Sequence, residues 1–126
     1  MTDLSVLVDR ATRLIAEGSY DEAATLLADL CDLAPSTASA PCMLGELLLT
    51  RGDSRGAARA YSEALDRARK AGTRRVEQLA RLGRARARTA LGQLDDARID
   101  YAKAAQGADR NLAVLAQAGL SLGGVQ

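Results

Sequence analysis

Three arginines recur at helical spacing in the second half of the sequence. Arg81, Arg84 and Arg88 are separated by three and four residues, which places them along one face of a helix. Guanidinium groups bind carboxylates through paired hydrogen bonds, so such a stripe is suited to an acidic side chain or a chain terminus. A solvated helix face, with Glu46 and Glu77 neutralising part of its charge, explains the same pattern without a ligand.

The other residue types argue against catalysis. The chain has no His, and its two cysteines, Cys31 and Cys42, form no C-x-x-C pair. The sequence contains neither a cluster with metal-ligand spacing nor a glycine-rich loop between a strand and a helix. We therefore predict that the protein is not an enzyme and has no catalytic residue, no metal site and no cofactor. The two cysteines are interpreted as small core residues.

Charge and composition limit the partners. The 126 residues include 17 basic and 16 acidic ones, and this net charge of +1 argues against binding to nucleic acid or to an anionic membrane surface. The sequence shows no signal peptide and no long apolar run, which together with the unpaired cysteines favours a cytoplasmic location. The abundance of Arg, Ala, Gly and Leu is typical of a bacterial origin.

The elements that position these residues are helices. Apolar residues between Leu4 and Ile15 fall on one helical face, and Gly18 supplies the positive φ that ends the helix. Ser19, with Glu22 three residues later, is typical of a capping box at the start of the second helix. The pattern predicts seven helices: 4–17, 20–33, 39–51, 54–71, 74–91, 94–106 and 110–122.

The two-helix unit recurs along the chain. Residues 18–23 align with residues 52–57 at an offset of 34, and with the same offset Ala11 falls on Gly45. Residues 92–97 form a third copy. A 34-residue period, with Gly in the turn and small residues on the facing helices, resembles the tetratricopeptide repeat, and the resemblance covers nearly the whole chain.

The resemblance to the tetratricopeptide-repeat (TPR) family implies an all-α fold, a right-handed α-solenoid of three helix-turn-helix repeats followed by a C-terminal helix. We predict a single domain over residues 1–126, with repeats at about 4–37, 38–73 and 74–108 and a terminal helix at about 110–122. In this family the groove lined by the first helix of each pair is the usual peptide site. The resemblance therefore implies a non-enzymatic adaptor that binds a peptide or a protein.

The register of the third repeat is open to two interpretations, because Gly52 and Gly92 are 40 residues apart instead of 34. If Gly92 fixes the register, the three arginines take mostly buried positions, where each unpaired guanidinium would cost several kcal/mol. If Gly83 instead lies opposite Ala11 and Gly45, the arginines face a solvated groove. We expect the second register, because the burial of charge outweighs the spacing of the turns.

In that register the inner face carries polar side chains from all three repeats. We predict a groove formed by Asp9, Thr12, Met43, Glu46, Thr50, Arg81, Arg84 and Arg88. Basic clamps in this family hold acidic peptide tails, so the resemblance implies a partner of acidic character. Asp9 and Glu46 depart from the Asn and Lys that typical clamps contribute.

The last predicted helix is apolar nearly all round, whereas a solenoid normally ends in a helix with a polar outer face. We predict that Leu115 and Leu122 contact a partner protein or a second copy of the chain. The remainder of a longer polypeptide, or burial inside the fold, would cover this helix equally well. The alternative function is a self-assembling structural protein that homodimerises through this helix. A regulator that binds a small ligand would require a closed apolar pocket.

Overall fold

The computed structural model describes residues 4–124, so the predicted domain over 1–126 includes residues 1–3 and 125–126, which lie outside the described part. Within that part the chain forms seven helices and no strand. The helices are α1 Leu4–Ala16, α2 Tyr20–Leu33, α3 Ser39–Thr50, α4 Ser54–Ala71, α5 Arg74–Ala90, α6 Leu94–Ala105 and α7 Arg110–Gly124.

The prediction of an all-α fold of paired helices is confirmed. Every helix begins at the predicted residue, and the observed and predicted ends differ by two residues at most. None of the helices that the structure describes is both long enough and apolar enough to cross a membrane.

The turns inside the three repeats have the same geometry. Each contains a glycine with a positive φ: Gly18, Gly52 and Gly92. In each turn the N–H of the residue after the glycine donates to a backbone carbonyl four residues before the glycine, at a distance of 2.8 Å. These carbonyls belong to Leu14, Leu48 and Arg88. Arg88 is therefore the counterpart of Leu14 and Leu48 in the first two repeats.

The helix starts use carboxylates more than hydroxyls. The Oδ1 atom of Asp53 accepts from the N–H of Gly56 at 2.9 Å, and Oδ1 of Asp109 accepts from the N–H of Leu112 at 3.1 Å. The predicted capping box at Ser19 is wrong, because the Ser19 side chain makes no hydrogen bond to the first turn of α2. The acidic residues in that turn stabilise the helix through its dipole instead.

The helices pack as successive pairs. Each contacts its neighbours in the chain, and α3 also contacts α5 while α5 also contacts α7. The helices α3, α5 and α7 therefore form one row, and α1 shares a buried cluster with α2 and α3. The innermost side chains between the helices are mostly alanines: Ala11, Ala23, Ala57, Ala64, Ala68, Ala80, Ala85, Ala87, Ala104 and Ala116 are all 0% exposed. Close packing of the helices follows from these small side chains, because a sequence with three Tyr and no Phe or Trp has few large rings to fill wider gaps.

The surplus of the second repeat lengthens two helices. α4 has 18 residues against 14 in α2, and α5 has 17 residues against 12 in α3. Gly72, with a φ of 72°, ends α4, and α5 begins two residues later. The surplus therefore lies where the second repeat meets the third, and the hairpin of α5 and α6 keeps the geometry of the other two.

One guanidinium ties α4 to the end of the first repeat. Arg67 donates through Nη1 to the carbonyls of Cys31, Ala34 and Thr37 at 3.1, 3.3 and 3.2 Å. The carbonyl of Cys31 has no helical donor, because Pro35 lacks an N–H. Arg67 thus satisfies an acceptor that the end of α2 leaves free.

The close packing of alanines leads to a first prediction. Ala23→Leu or Ala57→Leu should lower the free energy of unfolding by about 1–3 kcal/mol, because both side chains are fully enclosed between paired helices. Chemical denaturation measures the effect. Ala108→Leu, at an exposed position between α6 and α7, is the matched control and should change stability little. Equal effects at the three positions would contradict the close helix packing.

Candidate functional site

The predicted groove residues of the first two repeats lie on the inner row of helices. Asp9 and Thr12 are exposed on α1, Glu46 and Thr50 are exposed on α3, and Met43 is half-buried beside them. The hydroxyls of Thr12 and Thr50 donate to the carbonyl one turn earlier, at 3.0 and 2.9 Å. Neither Asp9 nor Glu46 forms an ion pair within the part of the chain that the structure describes.

The structure corrects the register of the third repeat. Since Arg88 is the counterpart of Leu14, the arginine stripe occupies the face of α5 that packs toward the second helices α4 and α6. Arg81 on the same stripe pairs with Glu77 at 3.2 Å, and its side chain is 13% exposed. The prediction that Arg81, Arg84 and Arg88 line a solvated inner groove is therefore wrong.

A buried carboxylate on α6 accounts for this register. Asp100 is 1% exposed and accepts from Nε and Nη2 of Arg84, both at 2.8 Å, and from Nη1 of Arg88 at 2.7 Å. Nη1 of Arg84 also donates to the hydroxyl of Ser62 on α4 at 3.2 Å. The paired hydrogen bonds offset the desolvation cost that makes unpaired buried arginines unfavourable.

Arg86 is the arginine of α5 that lies on the inner face, where the arginine stripe was predicted to lie. Thr12, Glu46 and Arg86 each lie six residues before the glycine of their own turn, and all three are exposed. Arg86 has no ion pair among the described residues. The spacing of six residues before the turn glycine Gly92 indicates the place of Arg86, whereas the alignment of Gly83 with Ala11 and Gly45 puts Arg81, Arg84 and Arg88 on the inner face instead.

Tyr61 reaches the inner row from the outer helix α4. Its ring lies between α3 and α5, where a Cβ added at Gly45 would stand 3.0 Å from the ring and a Cβ added at Gly83 would overlap the Cζ atom. The ring therefore fills a slot that exists because both neighbours are glycine. Gly45 and Gly83 both contact the ring of Tyr61, so both positions require a glycine. They are nevertheless not equivalent positions of their repeats, which is why aligning Gly83 with Gly45 gives the wrong register.

The hydroxyl of Tyr61 is a free polar group in this slot. It has no hydrogen-bond partner within the described residues. Every fully buried side-chain polar atom in that part of the chain does have a partner, so the Tyr61 hydroxyl must be in contact with solvent. Burial raises the pKa of the phenol, Cys42 and Glu46 raise it further, and Arg86 lowers it. Glu46 and Arg86 therefore both act on the phenol from the inner face.

The two cysteines are unsuited to thiol chemistry. Cys42 is buried in the core between α3 and α4, and burial raises its pKa to about 11. Burial also raises the pKa of the half-buried Cys31. Both thiols stay protonated near neutral pH, which agrees with their interpretation as small core residues. The described residues contain no group of three or more side chains that could hold a metal ion.

The terminal helix α7 carries both buried and exposed apolar side chains. Leu112 and Ala116 belong to a buried cluster with residues of α5 and α6. Val114, Leu115 and Leu122 remain 67%, 45% and 75% exposed, and Leu122 also lines a cavity against α6. Burial inside the fold thus covers only part of α7, and the predicted contact of Leu115 and Leu122 with a partner or a second copy stays a prediction.

Comparison with solved structures defines the class of fold. The structure of the first TPR domain of Spaghetti (RPAP3), bound to the HSP90 peptide SRMEEVD, matches with a TM-score of 0.83 over 95% of this chain and 89% of that chain, at 22% sequence identity. The TPR domain of Sgt2 from Aspergillus fumigatus matches with a TM-score of 0.77 over 96% of this chain and 76% of that chain, at 17% identity.

The chain therefore has the fold of tetratricopeptide-repeat domains, as its 34-residue period predicts. No protein-family model and no curated protein matches the sequence.

The buried carboxylate leads to a second prediction. Asp100→Asn keeps the side-chain volume but leaves two arginines without their counter-charge, so it should lower the free energy of unfolding by about 3 kcal/mol. Urea denaturation at neutral pH measures the loss. Asp29→Asn, on the exposed surface of α2, is the control and should change stability by less than about 0.5 kcal/mol. If Asp100→Asn left the free energy of unfolding unchanged, the arginines would have to be solvated.

The exposed leucines of α7 lead to a third prediction. Leu115→Gln combined with Leu122→Gln should lower stability by less than about 1 kcal/mol, whereas Leu112→Gln should cost more because its amide enters a buried cluster. Sedimentation at micromolar concentration then tests self-association. A wild-type dimer that the double variant dissociates would support the homodimer alternative, and a wild-type monomer would contradict it.

Proposed function

We propose that the chain is a non-enzymatic protein-interaction module that binds a peptide, or an extended segment of a larger protein, along the inner face of α1, α3 and α5. The observation that carries this proposal is a set of polar side-chain groups on one surface that have no ion-pair or hydrogen-bond partner within the described residues. Asp9, Glu46 and Arg86 have no ion pair, and the Tyr61 hydroxyl has no hydrogen bond, among the residues that the structure describes.

The opposite face of α5 differs from this surface. Arg84 and Arg88 are held by Asp100, and Arg81 is held by Glu77. Side chains that already have internal partners gain little from a ligand, whereas exposed charges without partners can form new charge-assisted hydrogen bonds. This contrast favours the inner face as the binding surface.

The similarity to the RPAP3 domain supports the proposal at the level of the fold. That domain is bound to the peptide SRMEEVD, so a domain with this arrangement of helices can hold a short peptide. A fold alone supports many functions, and the polar groups named above therefore carry more of the inference than the similarity does. The cytoplasmic location and the bacterial origin stay predictions.

The acidic character predicted for the partner loses its basis in the arginine stripe. Arg84 and Arg88 point toward α6, Arg81 pairs with Glu77 on α5 itself, and Arg86 is the arginine that remains in the middle of the inner row. An acidic segment would meet Arg86 but would also approach Asp9 and Glu46, which repel it.

A matched set of tryptophan variants tests the fourth prediction, that the inner face binds peptides. Thr12→Trp with Thr50→Trp places two large side chains on the inner face, and Thr25→Trp places one on the exposed surface of α2. All three threonines donate to the carbonyl one turn earlier in their own helix, so the control reproduces the loss of such a bond once, against twice in the inner-face variant.

The probe is a random heptapeptide library displayed on phage and selected on the wild-type chain. We expect enriched peptides whose affinity falls by more than about tenfold, or about 1.4 kcal/mol, in the inner-face variant and stays unchanged in Thr25→Trp. The proposal fails if the library yields no enrichment, or if the enriched peptides bind the inner-face variant as well as the wild type.

A further inference from the structure

Three polar groups of different kinds lie on the central part of the inner face. Glu46 projects from α3, Arg86 projects from α5, and the Tyr61 hydroxyl reaches the gap between these helices from α4. Glu46 offers a hydrogen-bond acceptor, Arg86 offers donors, and a phenol offers both. The inference drawn from these groups rests on the proposed function, because it concerns the segment that the same inner face binds.

The position of the Tyr61 hydroxyl is fixed by packing. The side chain as a whole is 5% exposed, and its ring contacts both Gly45 and Gly83. Neither helix has a side chain at the slot that could move aside, so the ring has little freedom to turn away. The free protein therefore holds an unpartnered hydroxyl in place before any ligand arrives, and a ligand that bonds to it loses little entropy of the protein.

The two charges beside the hydroxyl are of opposite sign and are not joined to each other. Both influence the ionisation of the same phenol, in opposite directions, yet no ion pair connects Glu46 with Arg86 or either of them with another described residue. Each charge is thus available to a ligand. A ligand with one sign of charge could satisfy only one of them and would be repelled by the other.

Charge on the neighbouring inner surface strengthens this restriction. Asp9 on α1 adds a second carboxylate on the side of Glu46, whereas the arginines that would have made the third repeat strongly basic are turned toward Asp100 and Glu77. The inner face is therefore acidic toward α1 and α3 and basic at α5. This polarity has a direction along the groove.

We propose that the groove selects a peptide segment of mixed charge, with a basic side chain bound by Glu46, an acidic side chain bound by Arg86, and a polar group of the segment bonded to the Tyr61 hydroxyl between them. The direction of the bound segment follows from the order of its two charges. Electrostatic complementarity of this kind determines specificity more than it determines total affinity.

The fifth prediction concerns the hydroxyl, and peptides enriched from the heptapeptide library serve as the probe. Tyr61→Phe removes only the hydroxyl, so the unfolding midpoint should stay the same, while the affinity for these peptides should fall about fivefold, the equivalent of one hydrogen bond. Tyr101→Phe is the matched control, because Tyr101 on α6 packs against Gly119 as Tyr61 packs against Gly83. An unchanged affinity in Tyr61→Phe, or an equal fall in Tyr101→Phe, would overturn the role of the hydroxyl.

A defined peptide array tests the charge rule directly. It contains every placement of one Lys and one Glu in a Ser-Ala heptapeptide, together with the same placements carrying two Glu or two Lys. We expect the best mixed peptides to bind the wild-type chain at least about fivefold more tightly than the best peptide of either single charge, with one order of Lys and Glu preferred. Glu46→Arg combined with Arg86→Glu should reverse the preferred order, whereas Arg59→Gln, at an exposed position on α4, should leave it unchanged.

The outcomes separate this inference from the proposed function. If the library yields inner-face binders but the array favours peptides with two Glu, or shows no preferred order, the mixed-charge rule is wrong and peptide binding stands. If the library yields no binder that the inner-face tryptophans displace, both proposals fail. A preferred order that the charge exchange does not reverse also overturns the rule.

Discussion

The close approach of α3 and α5 around the ring of Tyr61 is the constraint on which the rest of the structure depends. A chain with three Tyr and no Phe or Trp cannot fill wide gaps between helices, so alanine and glycine, together with leucine, make most of the closest contacts between its helices. The ring of Tyr61 is admitted only where Gly45 and Gly83 leave a slot for it. This contact joins the second repeat to the third and also brings a hydroxyl to the inner face. Packing and the candidate site therefore have one physical origin.

At one position the third repeat has an ion pair where the first two repeats have an apolar contact. Leu14 and Leu48 have Arg88 as their counterpart, and the residue to which Arg88 bonds is the buried Asp100. A buried ion pair is weak support for stability compared with apolar side chains of the same shape, but it tolerates the loss of one partner poorly. The exchange has a functional consequence as well. Arg84 and Arg88 are therefore absent from the groove, whose charged residues are two carboxylates, Asp9 and Glu46, and one guanidinium, Arg86.

The uncommitted groups on the inner face are the basis of both proposals about function. A module that holds another chain needs a surface whose hydrogen-bonding groups are presented to the solvent in fixed positions, since ordering them on binding would cost entropy. Glu46 and Arg86 are presented by two adjacent helices, and the Tyr61 hydroxyl is fixed by the slot. Arg84 and Arg88 are bonded to Asp100 and do not form the predicted basic clamp, although the fold is shared with domains such as the one bound to SRMEEVD.

The sequence by itself determined the number of helices, their starting residues and the repeat, because glycines with positive φ and apolar stripes are local signals that need no distant partner. It also identified Asp9, Thr12, Glu46 and Thr50 as exposed inner residues, since the first two repeats have the regular offset of 34. Only the tertiary structure decided the face on which the arginines lie. A guanidinium without a partner would avoid burial, and its partner, Asp100, lies on the next helix, where no local pattern connects the two. The same limit applies to Tyr61, whose ring and hydroxyl acquire their roles from glycines on two other helices.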